Sequence, residues 1–412
     1  MSSLKIIVIG GGAAGMMAAI IAAYNGAETV LLEKNQRVGK KILATGNGRC
    51  NLSNVQTQLS NFHGCRQEFA AAALSRFDPQ KTLEYFEYLG IAHKIEDAGK
   101  VFPQSDQASS VLDVLRYELE QTGVLVNCQA EVREVARSGA KMLVMLSDGS
   151  THSADRVVLA TGGKAAPQFG SNGSGYEIAQ KVGHKLVDPI PALVPLKLNA
   201  DFLRQIKGVK FIGTAAVVSG DNNILAEAWG EILFTEYGAS GPPILSLSRV
   251  AGEQLQMNRE VYLKLTVIDH LSAGELREYL GRRLMTRPDK PLDFSLVGFI
   301  NKRMTSVVLQ AAGIKNNKLP SGQISEADLT NLANILTDWR FPITGSTSWP
   351  NAQVTAGGID VSEVDEHTLE SKIMPGLFFA GEILDIDGDC GGYNLQWAWS
   401  SGYVAGASAA AK

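Results

Sequence analysis

A glycine-rich turn near the start of the chain restricts the folds that the chain can adopt. The stretch LKIIVIGGGAAGMMAAIIAAYNGAETVLLEK begins with an apolar run at 4–9, which predicts a buried parallel strand. Three glycines follow in Gly-x-Gly-x-x-Gly spacing: Gly10, Gly12 and Gly15. An Ala- and Met-rich segment then predicts a helix, and a second strand at 29–32 ends in Glu33. This order of elements predicts a Rossmann-type unit that binds a dinucleotide.

Each residue type in this turn has a physical role. Gly10 permits the tight turn, Gly12 lets the backbone approach a pyrophosphate, and Gly15 lets the helix pack closely on the strand. The helix N-terminus faces the phosphates. Glu33 can accept hydrogen bonds from both hydroxyls of an adenosine ribose and would repel a 2′-phosphate, which favours FAD or NAD over NADP.

The next segment favours FAD over NAD. RVGKKILATGNGRCNLSN is a loop rich in Gly, Lys, Arg and Asn, where a simple nicotinamide domain would have its next helix. Lys40, Lys41 and Arg49 can neutralise a pyrophosphate, and backbone at Gly46 and Gly48 can pass close to a flavin edge.

Cys50 lies in the same loop and raises the question of a thiol relay. Disulfide reductases carry a second cysteine five residues further on, but Val55 occupies that position here. The sequence therefore predicts a structural or flavin-adjacent role for Cys50.

A small sheet is predicted ahead of a further glycine turn. Strands at 132–135 and 142–146 are separated by turn signals and lead into a buried strand at 156–159. That strand ends in Ala160-Thr161-Gly162-Gly163. The arrangement resembles flavoproteins with two dinucleotide-binding folds.

The C-terminal stretch MPGLFFAGEILDIDGDCGGYNLQWAWSSG completes the predicted cofactor site. A strand at 377–380 ends in Gly381-Glu382, similar to the Gly-Asp of FAD enzymes whose carboxylate holds the ribityl chain. The strand should join the sheet of the N-terminal strand, and Gly391-Gly392 should turn the chain into a last helix at 394–409. That N-terminus would face the pyrimidine end of the isoalloxazine and stabilise negative charge there. Side chains that could bond the ring edges are Tyr393, Asn394 and Gln396.

A shift in composition near Pro189, Pro191 and Pro195 predicts an inserted domain. We expect residues 1–189 and 352–412 to form the FAD-binding domain and residues 190–351 to form the insert. Within the insert, short strands are predicted for 190–267 and 341–351, and helices for 270–338, with one at 295–312.

Six motifs together resemble the bacterial flavoprotein family that includes aminoacetone oxidase and a reductase proposed for bile-acid dehydroxylation. They are GGGAAGM, GKKILATGNGRCNLSN, VVLATGGKAAPQFGSNGSGYEIA, FTEYGASGP, QVTAGGI and GGYNLQWAWSSG, and they extend over nearly the whole chain. The resemblance implies an α/β fold: a glutathione-reductase-like Rossmann-type FAD domain, interrupted by a β-barrel and a helical subdomain, with substrate at their junction. Many members carry a histidine after the threonine that corresponds to Thr235. Glu236 and Tyr237 follow here, so no role is carried over for that histidine.

The resemblance also implies a set of FAD contacts. These are Gly10, Gly11, Gly12, Ala13, Ala14, Gly15, Glu33, Lys34, Arg49, Val132, Ala160, Thr161, Gly162, Glu382, Asn394, Leu395 and Gln396. The motifs as read from the residues add Lys41, Thr45, Gly46, Gly48, Cys50, Asn51, Gly381, Gly391 and Gly392.

Two reactions are consistent with such a site. A second Gly-x-Gly-x-x-Gly is missing, and GSNGSG at Gly170 has the wrong spacing, so NAD(P)H could act only as a transient donor. The chain is then either an oxidase of an aminoacetone-like amine or an NAD(P)H-dependent reductase of an enone-type or other oxidised substrate. Candidates for lining the substrate cleft are Lys164, Tyr237, Asn51 and Tyr393.

Composition narrows the remaining classes. The 412 residues carry a formal net charge of −4, so no overall basic field favours nucleic acid, although an RNA-modifying flavoprotein with a basic insert stays open, as does a non-catalytic flavin sensor. The four cysteines are widely scattered and form no Cys-x-x-Cys, so no metal site is expected. No signal peptide or long apolar segment is visible, and we expect a cytoplasmic protein with a small-molecule substrate, no nucleic-acid or membrane partner, and an oligomeric state that the sequence leaves open.

Overall fold

The structure is a computed structural model and describes residues 3–411. The chain divides into two compact units. The first unit runs to Pro191 and resumes at Ala352, and the second spans Ala192–Asn351. Among the described residues, none of the helices combines the length and the apolar character that a membrane crossing needs.

The strands of the described chain vary in length from two to eleven residues, and the two longest lie in the second unit. In chain order they are β1 (Lys5–Ile9), β2 (Glu28–Glu33), β3 (Ser53–Asn54), β4 (Phe62–His63), β5 (His93–Ile95), β6 (Lys100–Pro103), β7 (Leu125–Cys128), β8 (Val132–Ser138), β9 (Lys141–Leu146), β10 (Thr151–Ala154), β11 (Arg156–Leu159), β12 (Leu186–Ala192), β13 (Leu196–Leu198), β14 (Lys210–Ser219), β15 (Ile224–Phe234), β16 (Gly238–Ser240), β17 (Val261–Thr266), β18 (Trp339–Ser346), β19 (Val354–Ile359), β20 (Leu377–Phe379) and β21 (Asp387–Gly388).

The α-helices differ widely in length. In chain order they are α1 (Ala13–Tyr24), α2 (Ala70–Arg76), α3 (Pro79–Tyr88), α4 (Ala108–Gln121), α5 (Ser174–Val182), α6 (Leu203–Ile206), α7 (Pro242–Gln256), α8 (Ala273–Met285), α9 (Leu292–Ser295), α10 (Thr305–Ala311), α11 (Glu326–Thr337) and α12 (Tyr393–Ala410).

A five-stranded parallel sheet forms the centre of the first unit, in the order β20-β11-β1-β2-β7. Strands β1, β2, β11 and β20 are apolar and mostly buried because helices cover both faces of such a sheet, whereas the edge strand β7 is only partly buried. All five strands run the same way, so their carboxyl ends lie at one edge. The strand before Gly381 therefore shares a sheet with the strand before Gly10, as the sequence predicts, with β11 between them.

A small antiparallel sheet, β10-β9-β8, precedes β11 in the chain. It contains the two strands predicted at 132–135 and 142–146, and that prediction is confirmed. Asp155 follows β10, and its carboxylate accepts a hydrogen bond from the backbone N–H of Lys5 at 2.9 Å. The small sheet is thereby joined to the start of β1.

Helices α1 and α12 pack against each other through glycines. A side chain at Gly402 would overlap the carbonyl oxygen of Ala14, and one at Gly406 would overlap that of Ala18. The two backbones approach so closely only because α12 has no Cβ at these positions. Both helices are buried along most of their length.

The second unit contains a closed six-stranded barrel in the order β13-β16-β15-β14-β17-β18, with helices packed on it. Phe234, Trp339 and Phe341 form an aromatic cluster in its core, with ring centroids 5.0–6.5 Å apart. The predicted fold class, a Rossmann-type domain interrupted by a barrel and helices, is confirmed.

Two predictions about the insert were wrong in detail. The predicted β-rich segment 190–267 contains the 15-residue helix α7, which starts at Pro242. The single helix predicted for 295–312 is two short helices, α9 and α10, separated by an irregular stretch at 296–304. Gly298 in that stretch has φ of 84°, which ends the helical path, and the apolar spacing alone did not reveal the break.

Replacing Gly406 by alanine should lower the free energy of unfolding by about 1–3 kcal/mol, because the new methyl group must displace the backbone at Ala18. Thermal unfolding followed by circular dichroism measures this as a lower midpoint. Gly274→Ala is the matched control, since the same change in α8 meets open space and should be neutral or slightly stabilising. An unchanged midpoint for Gly406→Ala would contradict the close helix contact.

Candidate cofactor site

The glycine turn between β1 and α1 has the geometry that a pyrophosphate requires. Gly10 has φ of 102°, and a side chain there would overlap the carbonyl of Ala160 at the end of β11. A side chain at Gly15 would overlap the carbonyl of Gly10, which confirms that this glycine allows the helix to pack on the strand. A Cβ at Gly12 would meet no protein atom within 4 Å. Gly12 thus leaves room at the N-terminus of α1, where helix amides favour an anion.

Glu33, the last residue of β2, is held beside that turn by backbone and side-chain donors. Its exposed fraction is 7%. One carboxylate oxygen accepts the N–H of Gly11 at 2.8 Å. The other accepts both the backbone N–H and the side-chain amide of Asn35, each at 2.7 Å. The carboxylate is fixed where a ribose would lie in a Rossmann-type domain.

Sequence reasoning missed Asn35 as a member of this site, whereas Gly11 falls within the predicted run from Gly10 to Gly15. A side chain at Gly11 would collide with Val38 and approach the carboxylate of Glu33. For Asn35 the available signal was an Asn two residues after the acid, because Asn commonly bonds to neighbouring backbone in turns.

Two buried oxygens near the site have no hydrogen-bond partner within the described chain. One is Oγ1 of Thr161, which follows β11, and the other is Oδ1 of Asn51. Buried polar atoms are rarely left unpaired, so each points to a bound group as its partner. Together with the open space at Gly12 and the carboxylate of Glu33, they fit an extended dinucleotide such as FAD.

The carboxylate of Glu382, which follows β20, is also held by hydrogen bonds and an ion pair. Its carboxylate pairs with Lys41 at 2.7 Å and accepts the backbone N–H of Thr355 at 2.8 Å. The hydroxyl of Thr355 in turn accepts the N–H groups of Lys164 and Ala165, at 2.8 and 3.0 Å. Thr355 therefore links three of the predicted motifs, and only its place in QVTAGGI singled it out in the sequence.

The guanidinium of Arg49 forms ion pairs with two carboxylates. Its guanidinium bonds to Asp106 at 2.7 Å and to Glu96, and it lies over the ring of Phe102, 4.0 Å from the centroid. Arg49 holds the pKa of Glu96 below its usual range, and Lys94 together with Arg49 does the same for the pKa of Asp106. A contact of Arg49 with a pyrophosphate would have to replace these bonds, so that role stays a prediction.

Two glycines with positive φ precede the N-terminus of α12: Gly391 at 141° and Gly392 at 101°. The side-chain amide of Asn394 accepts the backbone N–H of Gly388 at 2.8 Å and donates to its carbonyl at 2.7 Å. Gln396 is fully buried, accepts from Ser53 and donates to three further oxygens. Both side chains hold the loop in place, which leaves backbone amides as the groups that α12 presents.

The four candidate cleft residues lie on different elements of the two units. Asn51 lies against Gly392, one residue before Tyr393, which is nearly buried and has its pKa raised by that burial. Lys164 lies along Gly173 in the first unit. Tyr237 belongs to the second unit and is 37% exposed. Their roles in catalysis stay predictions.

The remaining predicted contacts occupy several loops of the first unit. Lys34 bonds to Asn172 at 2.6 Å, and burial lowers the pKa of its ammonium. Val132 starts β8 and is buried. The others lie in the turns already described or beside them: Ala13, Ala14, Thr45, Gly46, Gly48, Ala160, Gly162, Gly381 and Leu395.

Cys50 is completely buried, and burial raises the pKa of its thiol to about 12. The thiol therefore stays protonated at neutral pH, and only the thiolate is nucleophilic.

Trp397 and Trp399 are buried, as expected for core packing. Their indole N–H groups donate to the carbonyls of Gly381 and Leu52, respectively.

We expect Glu33→Ala to weaken FAD binding about 10- to 100-fold, since a hydrogen bond to a charged group contributes roughly 1.5–3 kcal/mol. The ratio of flavin to protein absorbance after purification, and titration of the apoprotein with FAD, measure the effect. Glu28→Ala is the control, because Glu28 lies on the same strand but is exposed. A fully loaded yellow Glu33→Ala protein would show that this carboxylate does not hold the ribose.

Alkylation should distinguish the exposed Cys65 from the buried Cys50. Iodoacetamide at pH 8 should modify exposed Cys65 and leave Cys50 unmodified in the native protein, because the pH lies far below the pKa of the Cys50 thiol. Peptide mass spectrometry reads out both sites, and denatured protein is the positive control. Rapid native alkylation of Cys50 would overturn the structural assignment.

Comparison with known proteins places the chain in a family. Residues 4–408 match the family model described as HI0933-like protein Rossmann domain. A 3-dehydro-bile acid delta(4,6)-reductase of Clostridium scindens is 39% identical over 98% of this chain and 99% of its own. A ribosomal RNA dihydrouridine synthase of Escherichia coli is 30% identical over 98% of this chain and 97% of its own.

Among solved structures, a 3-ketosteroid delta1-dehydrogenase from Sterolibacterium denitrificans aligns over 100% of both chains with a TM-score of 0.50 and 13% identity. At that identity the likeness concerns the fold alone. The predicted class, a flavoprotein oxidoreductase with a Rossmann-type FAD domain, is confirmed at the level of the family. The chain belongs to the HI0933-like Rossmann-domain family.

Proposed function

We propose that the protein is an FAD-dependent reductase of a carbon–carbon double bond conjugated to a carbonyl group. The observation that best supports this is a chemical feature common to two full-length relatives with very different substrates. A 3-dehydro bile acid with 4,6 double bonds is a conjugated ketone. A uridine ring also has a double bond conjugated to a carbonyl, and its reduction gives dihydrouridine.

The reaction adds a hydride to the carbon β to the carbonyl and a proton to the α carbon. FAD, when bound, supplies the hydride-transfer chemistry. The chain offers Glu33 for the ribose, the N-terminus of α1 for the pyrophosphate and the N-terminus of α12 for the ring system. A nicotinamide that binds transiently would be the two-electron donor, in line with the single glycine fingerprint of the chain.

Tyr393 is the residue that we propose as the proton donor to the α carbon. Burial raises the pKa of its phenol, so the hydroxyl keeps its proton at neutral pH. It lies in the first turn of α12, where the helix dipole would also stabilise negative charge that develops on a bound group. Asn51, next to the same turn, has an unpaired carbonyl oxygen to orient a bound amide or hydroxyl.

Reoxidation of the reduced holoenzyme tests the proposal. The protein is reduced anaerobically with NADH or NADPH and mixed with a 3-oxo-4,6-diene bile acid, with uridine-containing ribosomal RNA or with buffer. We expect the yellow colour to return rapidly with at least one conjugated acceptor and slowly in buffer. Mass spectrometry should show a gain of two hydrogens in the acceptor. Tyr393→Phe should slow this step about 10²- to 10⁴-fold without loss of bound FAD.

Aminoacetone tests the alternative function, oxidation of an amine. If it bleaches the oxidised protein rapidly while neither conjugated acceptor reoxidises the reduced one, the protein is an amine oxidase and the reductase proposal is wrong. Tyr403→Phe is the matched control for the tyrosine variant, because Tyr403 lies on the same helix and stacks on Phe77, at a centroid distance of 4.6 Å.

A further inference from the structure

The loop of residues 45–51, called the cofactor loop below, has an unusual backbone. Gly46 and Asn47 are consecutive residues in the left-handed region, each with φ of 55°, and Cys50 has φ of 61°. Asn47 and Cys50 carry side chains, so this conformation is strained and persists only with contacts from outside the loop. The loop ends in Asn51, whose buried Oδ1 has no partner in the described chain. The contacts that hold the loop therefore decide where Asn51 meets a bound group.

Four charged side chains connect the cofactor loop to the hairpin β5–β6 and the turn after it. The guanidinium of Arg49 bonds through Nε to Oδ1 of Asp106 at 2.7 Å and through Nη2 to Glu96. The ammonium of Lys94 lies 2.5 Å from Oδ2 of Asp106 and 3.4 Å from the carboxylate of Glu96. Two bases and two acids thus alternate in a closed ring with no net charge, called the charge network below.

The charge network keeps its charges at neutral pH. Its hydrogen bonds lower the pKa values of Glu96 and Asp106 and raise those of Lys94 and Arg49. Each member has two oppositely charged partners, so no member is held by one contact alone.

An aromatic ring lies beneath the network. The guanidinium of Arg49 is stacked on Phe102 of β6, 4.0 Å from the ring centroid, and Phe102 itself is buried. A side chain at Gly46 would come within 3.1 Å of the same ring. The backbone of the cofactor loop and the side chain of Arg49 are therefore packed on one fixed surface.

The hairpin side of the network is strained as well. Ala98 has φ of 58° and Asp106 has φ of 53°. Together with Asn47 and Cys50, they are four of the ten non-glycine residues with positive φ in residues 3–411. Strained backbone of this kind concentrates at functional sites, where the surrounding structure determines it. The charge network joins the two strained segments.

Asn54 connects the same hairpin to the glycine turn before α12. Its side-chain amide donates to the carbonyl of Ala98 at 3.0 Å and to the carbonyl of Gly391 at 2.9 Å, and the residue is buried. The hairpin thus supports two segments that we expect to contact the flavin, the cofactor loop and the turn at 391–392.

We propose that Lys94, Glu96 and Asp106 are positioning residues of the flavin site, which act through Arg49 to fix the cofactor loop. In this arrangement Arg49 is a structural anchor and does not bind the pyrophosphate. Its Nε–Nη2 edge, which can bind two oxygens at once, is already filled by carboxylates. The proposal applies to either reaction considered above, because it concerns how the cofactor is held.

Titration of the apoprotein with FAD, followed by flavin fluorescence, tests the proposal by the sign of one effect. Asp106→Asn should weaken FAD binding about two- to fivefold, the range expected for an exposed ion pair. Asn tolerates the positive φ at this position, so the backbone is not at issue. If Arg49 binds the pyrophosphate instead, the same change frees its guanidinium and FAD should bind more tightly. Tighter or unchanged binding would overturn the proposal.

A double-mutant cycle separates positioning from a general loss of charge. Arg49→Gln combined with Asp106→Asn should lose no more affinity than the worse single variant, because both changes remove the same interaction. Arg49→Lys, which keeps the charge, should recover part of the loss in Arg49→Gln. The visible circular dichroism of the bound flavin should change in Asp106→Asn at saturating FAD, since the loop against the ring is displaced. Additive losses, or an unchanged spectrum, would contradict a positioning role.

The matched control is an ion pair of the second unit. Arg277 lies 2.6 Å from Glu326, and both side chains are exposed. Arg277→Gln and Glu326→Gln repeat the changes of charge away from the cofactor loop and should bind FAD like the wild type. Thermal midpoints of the apoproteins show that every variant is folded. A loss of affinity in the controls equal to that in Asp106→Asn would refute the proposal.

Discussion

The close approach of backbone to backbone around α1 is the constraint on which the first unit depends. Gly10 and Gly15 bring the helix onto the ends of β1 and β11, and Gly402 and Gly406 bring α12 onto its other side. A methyl group at any of these positions would overlap a carbonyl oxygen. Because α1 is fixed on both sides, its N-terminus is held at the carboxyl edge of the sheet, where the strand ends converge.

The two carboxylates at that edge are held before any ligand arrives. Glu33 and Glu382 each accept backbone N–H groups, and Glu382 is also paired with Lys41. Such bonds remove most of the rotational freedom of the side chains, so binding a dinucleotide costs less conformational entropy. The unpaired oxygens of Thr161 and Asn51 lie among rigid turns and remain the groups with hydrogen-bonding capacity to offer.

The sequence showed which side chains could bind a cofactor, but not which partners those side chains have in the fold. Arg49 has the charge for a pyrophosphate, yet Glu96 and Asp106, 47 and 57 residues further along the chain, take up its guanidinium. Asn394 and Gln396 look like ring contacts by position, but their amides close the loop before α12 and bind buried oxygens. Hydrogen-bonding capacity is a local property, whereas its use depends on which distant segments fold nearby.

By itself, the sequence determined the dinucleotide fold, the FAD cofactor class and the strands that precede the glycine turns, since glycine spacing and apolar periodicity are local consequences of backbone sterics and burial. The barrel in the insert was implied by the resemblance of the motifs to a known family. Tertiary structure alone decided that Thr355 joins three motifs and that α7 interrupts the barrel strands. These features arise from contacts between residues far apart in the chain, and no local pattern encodes a contact whose partner is set by the path of the whole backbone.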